Sequence, residues 1–273
     1  MGAGGGFDVG PSANIVVMPI PTYPDLGGKV ALVTGGSKGI GAETCRALAA
    51  NGARVAVNAR SQPAIDALVA ELREGGADAI GIAADVGEMA AVERVHDQVR
   101  SELGPVDILL PFAGGFEAFT PIEEISVEEW REVIDANLTS TFLAVSAVVP
   151  SMIERRRGVI VTMSSNGGRY LDKLLTASYA AAKAGVIQFT RHLAKELGQY
   201  GIRANSIAPA TISSERVERI MDEPSRARVA DMSPLGTMGT PLDCALATLF
   251  LISDSARWLT GVTLDIAGGR IML

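Results

Sequence analysis

The chain is short of the side chains that most often carry chemistry. It has two cysteines and two histidines in 273 residues. Cys45 and Cys244 both fall inside predicted helices, without the spacing of metal ligands, so no metal centre is expected. Both read as buried thiols of a reducing compartment. His96 and His192 fall on polar helical faces and take no role. Positive charge is also in deficit. The 24 Lys and Arg against 31 Asp and Glu leave a net charge of −7, which argues against nucleic acid and anionic membrane surfaces as partners. No unbroken apolar run approaches the ~18 residues of a membrane span. The first basic residue is Lys29, so the N-terminus lacks the charged region of a signal peptide, and Gly6 stands where a myristoylation signal needs Ser or Thr. A cytoplasmic protein is the expectation.

What the chain has instead is glycine, 30 residues of it, within a composition that is 48% hydrophobic and only 20% charged. That is enough apolar content for a large core. Residues 1–24 are rich in Gly and Pro and read as a flexible N-terminal arm. Residues 25–273 read as a single domain, with no linker or repeat dividing them. Short β-branched runs alternate with helical ones. Strands are predicted at 30–34, 54–58, 79–84, 107–110, 159–163, 203–207 and 263–266. Helices are predicted at 39–51, 63–74, 89–103, 126–155, 179–200 and after Pro241, the long one opened by a capping box, Ser126 with Glu129. Seven strands interleaved with helices predict an α/β fold, a Rossmann-like, doubly wound, seven-stranded parallel sheet with helices on both faces.

Between the first strand and the first helix lies Thr34-Gly35-Gly36-Ser37-Lys38-Gly39-Ile40-Gly41. Glycines there allow a tight turn and let the backbone approach a pyrophosphate at the helix N-terminus; the plain alternative is a tight connector. The second strand ends in Asn58-Ala59-Arg60-Ser61. An enzyme that binds the adenosine diol places Asp or Glu there, whereas this chain has a guanidinium, the best partner for a phosphate. With Lys38 on the same side, two cations and no carboxylate favour NADP(H). Further on, Tyr179 and Lys183 open a helix four residues apart and so share a face. An ammonium beside a phenol favours phenolate and brings the tyrosine's pKa from ~10 toward neutrality, where proton transfer is most effective. Alone, that spacing equally describes two solvated side chains.

The glycine turn, Asn137, Ser165, Tyr179 and Lys183 together resemble, in order and spacing, the classical short-chain dehydrogenases/reductases from about Asp25 to Gly269. The resemblance implies a catalytic set of Asn137, Ser165, Tyr179 and Lys183. Tyr179 would donate the proton and Ser165 hold the substrate oxygen. Lys183 would anchor the nicotinamide ribose, and Asn137 would hold a water linking the lysine to solvent. It also implies adenine contacts from Asp85 and Val86 and a ribose site near Ala113 and Gly114. Pro209, Ile212 and Ser214 would lie beside the nicotinamide, Gly167 to Arg169 around the substrate pocket, and a mobile lid over residues 213–238. The sequence departs from the family at Pro111-Phe112, where two asparagines are usual, and at Ala210 and Ala267. Pro111 cannot donate to a ladder and is expected at the strand's very end. The implied activity is NADPH-dependent reduction of a small-molecule carbonyl, a ketone or 3-oxoacyl group, by a homotetramer. The rivals are an alcohol or sugar dehydrogenase on the same site and a dinucleotide-binding sensor without chemistry.

Overall fold

The computed structural model describes residues 20–116, 119–170 and 175–272. Seven strands form one sheet: β1 (Val30–Thr34), β2 (Arg54–Ala59), β3 (Ala79–Ala83), β4 (Ile108–Pro111), β5 (Gly158–Met163), β6 (Ile202–Pro209) and β7 (Thr263–Ile266). Their order is β3-β2-β1-β4-β5-β6-β7 and every pairing is parallel. The order reverses between β1 and β4, so the crevice beyond the carboxyl ends of those strands is the natural ligand site of this fold.

Alternation along each strand sorts the core into two layers. Ala31, Val33, Val55 and Val57 face one side, under α1 (Gly39–Ala50), α2 (Gln62–Glu74) and α9 (Pro241–Ile252). Val30, Leu32 and Ala56 face the other, under α3 (Met89–Glu102), α5 (Ser140–Arg155) and α6 (Ala177–Leu197). Pro111 is the last residue of β4, as expected, and the ladder resumes at once with Phe112 N–H donating to Thr34 O at 3.2 Å. His96, expected on a polar face, is instead buried on α3, and burial lowers its pKa. His192 is exposed and lies 3.4 Å from Glu196.

Three further differences have local causes. Residues 1–19 lie outside the described residues, but Ile20 packs on the core and Tyr23 N–H donates to Asn51 Oδ1 at 2.6 Å. Residues 20–24 thus belong with the domain and not with an arm. The helix predicted over 126–155 is α4 (Val127–Ile134), a π turn (Asp135–Thr139) and α5. Ser126 caps it by accepting from Glu129 N at 3.0 Å. The same stretch averages apolar enough to cross a membrane by length and composition, although no unbroken run does; here α5 covers the sheet, while α4 buries none of its residues. Residues 213–238, expected as a lid, hold two short helices, α7 (Glu215–Ile220) and α8 (Glu223–Asp231).

Candidate active site

Every expected site segment lies at the carboxyl edge of the sheet, because each follows a strand of the same parallel set. Gly35 turns at φ 66°, and a Cβ there would stand 2.8 Å from Ala113 N, so the turn after β1 and the turn after β4 touch. Thr34 Oγ1 accepts from Ala113 N at 3.3 Å and Gly36 N–H donates to Asn58 O at 2.9 Å, joining the ends of β4, β1 and β2. Lys38 is the N-cap of α1, and its side chain makes no cap hydrogen bond to the first N–H groups of the helix. Gly39 takes φ 53°, and a Cβ on it would meet nothing within 4 Å. This open, uncapped helix start fits a pyrophosphate.

At the end of β2, Arg60 and Ser61 are exposed, and Ser61 caps α2 without its side chain. Arg46 is paired with Glu71, and Arg54, at the opposite end of β2, with Asp78, whereas Arg60 and Lys38 are exposed to solvent. Asn58 does not join them as a solvent-facing contact. Its side chain is buried and its Nδ2 donates to Ile82 O at 3.0 Å and Ala84 O at 3.3 Å, while Oδ1 is buried without a partner. Asn58 therefore ties β2 to the end of β3, just before Asp85. Asp85 is exposed and accepts from Gly87 N at 2.9 Å through one oxygen, and Val86 is buried beside it.

On the catalytic side, the two serines that end β5 divide their work. Ser164 Oγ donates to Lys183 O at 2.8 Å, pinning β5 to α6. Ser165 Oγ caps the turn at Asn166–Gly168, accepting from Gly167 N at 3.2 Å and donating to Asn166 Oδ1 at 3.2 Å. Gly168 lies so close to α6 that a Cβ would stand 2.6 Å from Lys183 C, which sets the serine turn directly against the helix carrying Tyr179. Arg169 borders a surface recess with Gly168, Ala184, Ile187, Gln188 and Arg191. The Arg169 guanidinium donates to Asp265 at 2.7 Å and to Thr263 O at 3.2 Å, fastening the turn to β7.

Lys183 is 2% exposed, donates to Met163 O at 2.9 Å, and holds its Nζ 5.5 Å from the centre of the Tyr179 ring. Burial pushes its pKa down to about 7. The folded pKa is below the unfolded value, so the folded chain binds fewer protons between about pH 7 and 10.5. This group therefore costs stability in full below that window, and the cost fades as pH rises through it. Lys183→Met, which removes the buried charge, is expected to raise the apo-protein melting temperature by several degrees at pH 6.5, with the gain shrinking toward pH 10. Melting curves across that range check it; a lower melting temperature at every pH would contradict it.

Asn137 sits in the π turn, 0% exposed, with all its side-chain hydrogen-bonding groups engaged. Oδ1 accepts from Gly115 N at 2.8 Å, and Nδ2 donates to Gly115 O at 2.7 Å and to Val133 O at 2.8 Å. The side-chain amide clamps the turn after β4. π turns open the helical ladder and recur at functional sites. That clamp sets Phe116, which the sequence analysis passed over, against Tyr179 with ring centres 4.6 Å apart. Beyond β6, Ile212 is buried and Ser214 caps α7, accepting from Val217 N at 3.4 Å. Among the described residues, no group of three His, Cys, Asp or Glu could hold a metal.

A tyrosine and a buried lysine on one helix, a serine turn against them, and a glycine turn at the switch point form a dinucleotide-dependent arrangement. The description of the short chain dehydrogenase family matches residues 29–225. The chain belongs to that family. It is an oxidoreductase of the short-chain type. It is 38% identical over 252 residues to the 3-oxoacyl-[acyl-carrier-protein] reductase FabG of Escherichia coli (strain K12), covering 90% of this chain and 98% of that one. It is 37% identical over 257 residues to 3beta-hydroxysteroid dehydrogenase 1 of Eggerthella lenta, covering 92% and 96%. Among solved structures, a 3-oxoacyl-[acyl-carrier protein] reductase with bound NAD from Brucella melitensis superposes with a TM-score of 0.88 at 31% identity, covering 96% and 99%.

Proposed function

We propose that the protein is an NADPH-dependent reductase of ketones or 3-oxoacyl groups, with Tyr179 as proton donor. The observation that carries the reading is the pairing of Tyr179 with a buried Lys183, 5.5 Å from its ring, beside the Ser165 turn. The nicotinamide, when bound, supplies the hydride. The uncapped start of α1 and the turn from Gly35 to Gly41 would hold the pyrophosphate. Arg60 and Lys38 would hold the 2′-phosphate, and Lys183 the nicotinamide ribose. Tyr179 gives its proton to the substrate oxygen as negative charge develops there, and Ser165 hydrogen-bonds the same oxygen. Lys183 carries a proton behind the tyrosine and favours the phenolate left after transfer.

Likeness to a 3-oxoacyl reductase supports reduction; likeness to a hydroxysteroid dehydrogenase supports the oxidative direction as a second reading. Loss of NADPH absorbance on adding a 3-oxoacyl thioester tests the first. Absence of turnover with any ketone, combined with NADP+ reduction by secondary alcohols, would favour the second. Two free, buried thiols, Cys45 and Cys244, support a cytoplasmic setting.

The protein is further expected to be a homotetramer. Val127, Trp130 and Phe142 are exposed along α4 and α5, with Phe142 edge-on to Phe189 of α6 at 6.2 Å. A second apolar group, Trp258, Val262, Leu264 and Met272, lies exposed around β7. Two separate apolar surfaces support two kinds of two-fold contact, as a tetramer of dihedral symmetry needs. Light scattering at micromolar concentration should give four times the chain mass, and a monomer would overturn this.

A further inference from the structure

Phe116 stands outside everything assigned above. It follows two glycines, Gly114 and Gly115, that take φ 140° and 139°, a backbone region that favours glycine. Gly115 is gripped on both sides of its backbone by the Asn137 amide, and a Cβ on Gly114 would collide with Asn137 Oδ1. The segment after β4 is thus held by a buried side chain, and it carries a phenyl ring 4.6 Å from the Tyr179 ring, tilted by 46°. Both rings are only partly buried. Each ring thus keeps part of its surface accessible.

We infer that Phe116 is a specificity-determining residue: its ring forms one wall of the carbonyl pocket and selects substrates with a flat, apolar substituent next to the reacting carbon. The inference rests on the proposal that Tyr179 donates the proton. A phenyl ring offers no hydrogen bond, so hydroxylated or charged substituents on that side lose their water without compensation. An aromatic substituent gains an offset or edge contact with the ring in addition to its area burial. A small alkyl substituent gains little of either. The chemical class is a ketone or 3-oxoester bearing an aryl group, favoured over its methyl counterpart and over polyhydroxy ketones.

The test compares ethyl benzoylacetate with ethyl acetoacetate, two 3-oxoesters that differ in phenyl against methyl. Wild type, Phe116→Ala and Phe116→Leu are assayed with NADPH, and cofactor affinity and melting temperature are measured for each. An aromatic contact corresponds to roughly two- to tenfold in kcat/KM. Phe116→Ala should lower the phenyl-to-methyl ratio of kcat/KM by about that factor with cofactor affinity unchanged. Phe116→Leu, which keeps apolar bulk and loses the ring, should lower the ratio too and serves if the alanine variant does not fold. An equal loss on both esters would mean that the ring only steadies Tyr179, and would overturn the inference. An unchanged ratio with wild-type turnover intact would also overturn it. A wild type without turnover on any ketone would overturn the functional proposal, and this inference with it.

Discussion

Tyr179→Phe is expected to remove nearly all turnover while cofactor binding stays close to normal. The substitution deletes one oxygen and keeps the ring that packs against Phe116 at 4.6 Å between centres. Lys183, already bonded to Met163 O, keeps its partner. What disappears is the proton donor. General acid catalysis is worth about 10²–10⁴-fold, so a fall in kcat of less than about tenfold would contradict the role given to Tyr179. Cofactor fluorescence titration supplies the control. A variant that loses both turnover and cofactor affinity would point to a collapsed site and not to a missing proton.

The second large effect concerns the cofactor. Wild type should prefer NADPH to NADH, and Arg60→Ala should lose most of that preference while leaving NADH use nearly unchanged. Arg60 is exposed, follows β2 directly and lies on the same edge as Lys38. A 2′-phosphate carries close to two negative charges at neutral pH. A charge-assisted hydrogen bond contributes about 1.5–3 kcal/mol, or roughly ten- to hundred-and-fifty-fold in kcat/KM, and solvent screening favours the lower end. The preference should therefore shrink with added salt. Ala59→Asp should reverse it, repelling the phosphate while offering the diol an acceptor. Equal use of both cofactors by wild type would refute this reading of the end of β2.

The parts of this protein legible from the sequence are those whose cause is local. β1 falls where its apolar run and glycine boundaries place it, because a strand buried on both faces has to be continuously apolar. The glycine turn announces itself since its positive φ values at Gly35 and Gly39 favour glycine. The Tyr179–Lys183 pair shares a face because helical spacing alone puts it there. By the same logic, the capping box at Thr240 and Asp243 is legible from its spacing. Pro111 was readable as a strand end since a missing N–H has one tolerable place in a ladder.

Tertiary structure decided what depends on distant segments meeting. Nothing near Asn137 in the chain says that its amide will close on Gly115, 22 residues earlier, and open the helix into a π turn to do so. Nor does the neighbourhood of Phe116 say that its ring will settle on Tyr179. Arg169 was placed at the pocket because it follows the serine turn, yet its charge goes to Asp265 of β7, which the sheet brings within 2.7 Å. Lys183 is the clearest case. The sequence makes it a neighbour of Tyr179, but its pKa of about 7 arises from burial, and burial is a property of the assembled layers around it. Helical and strand periods are written residue by residue; charge environment and long-range hydrogen bonds exist only once the sheet has brought its carboxyl ends to one edge.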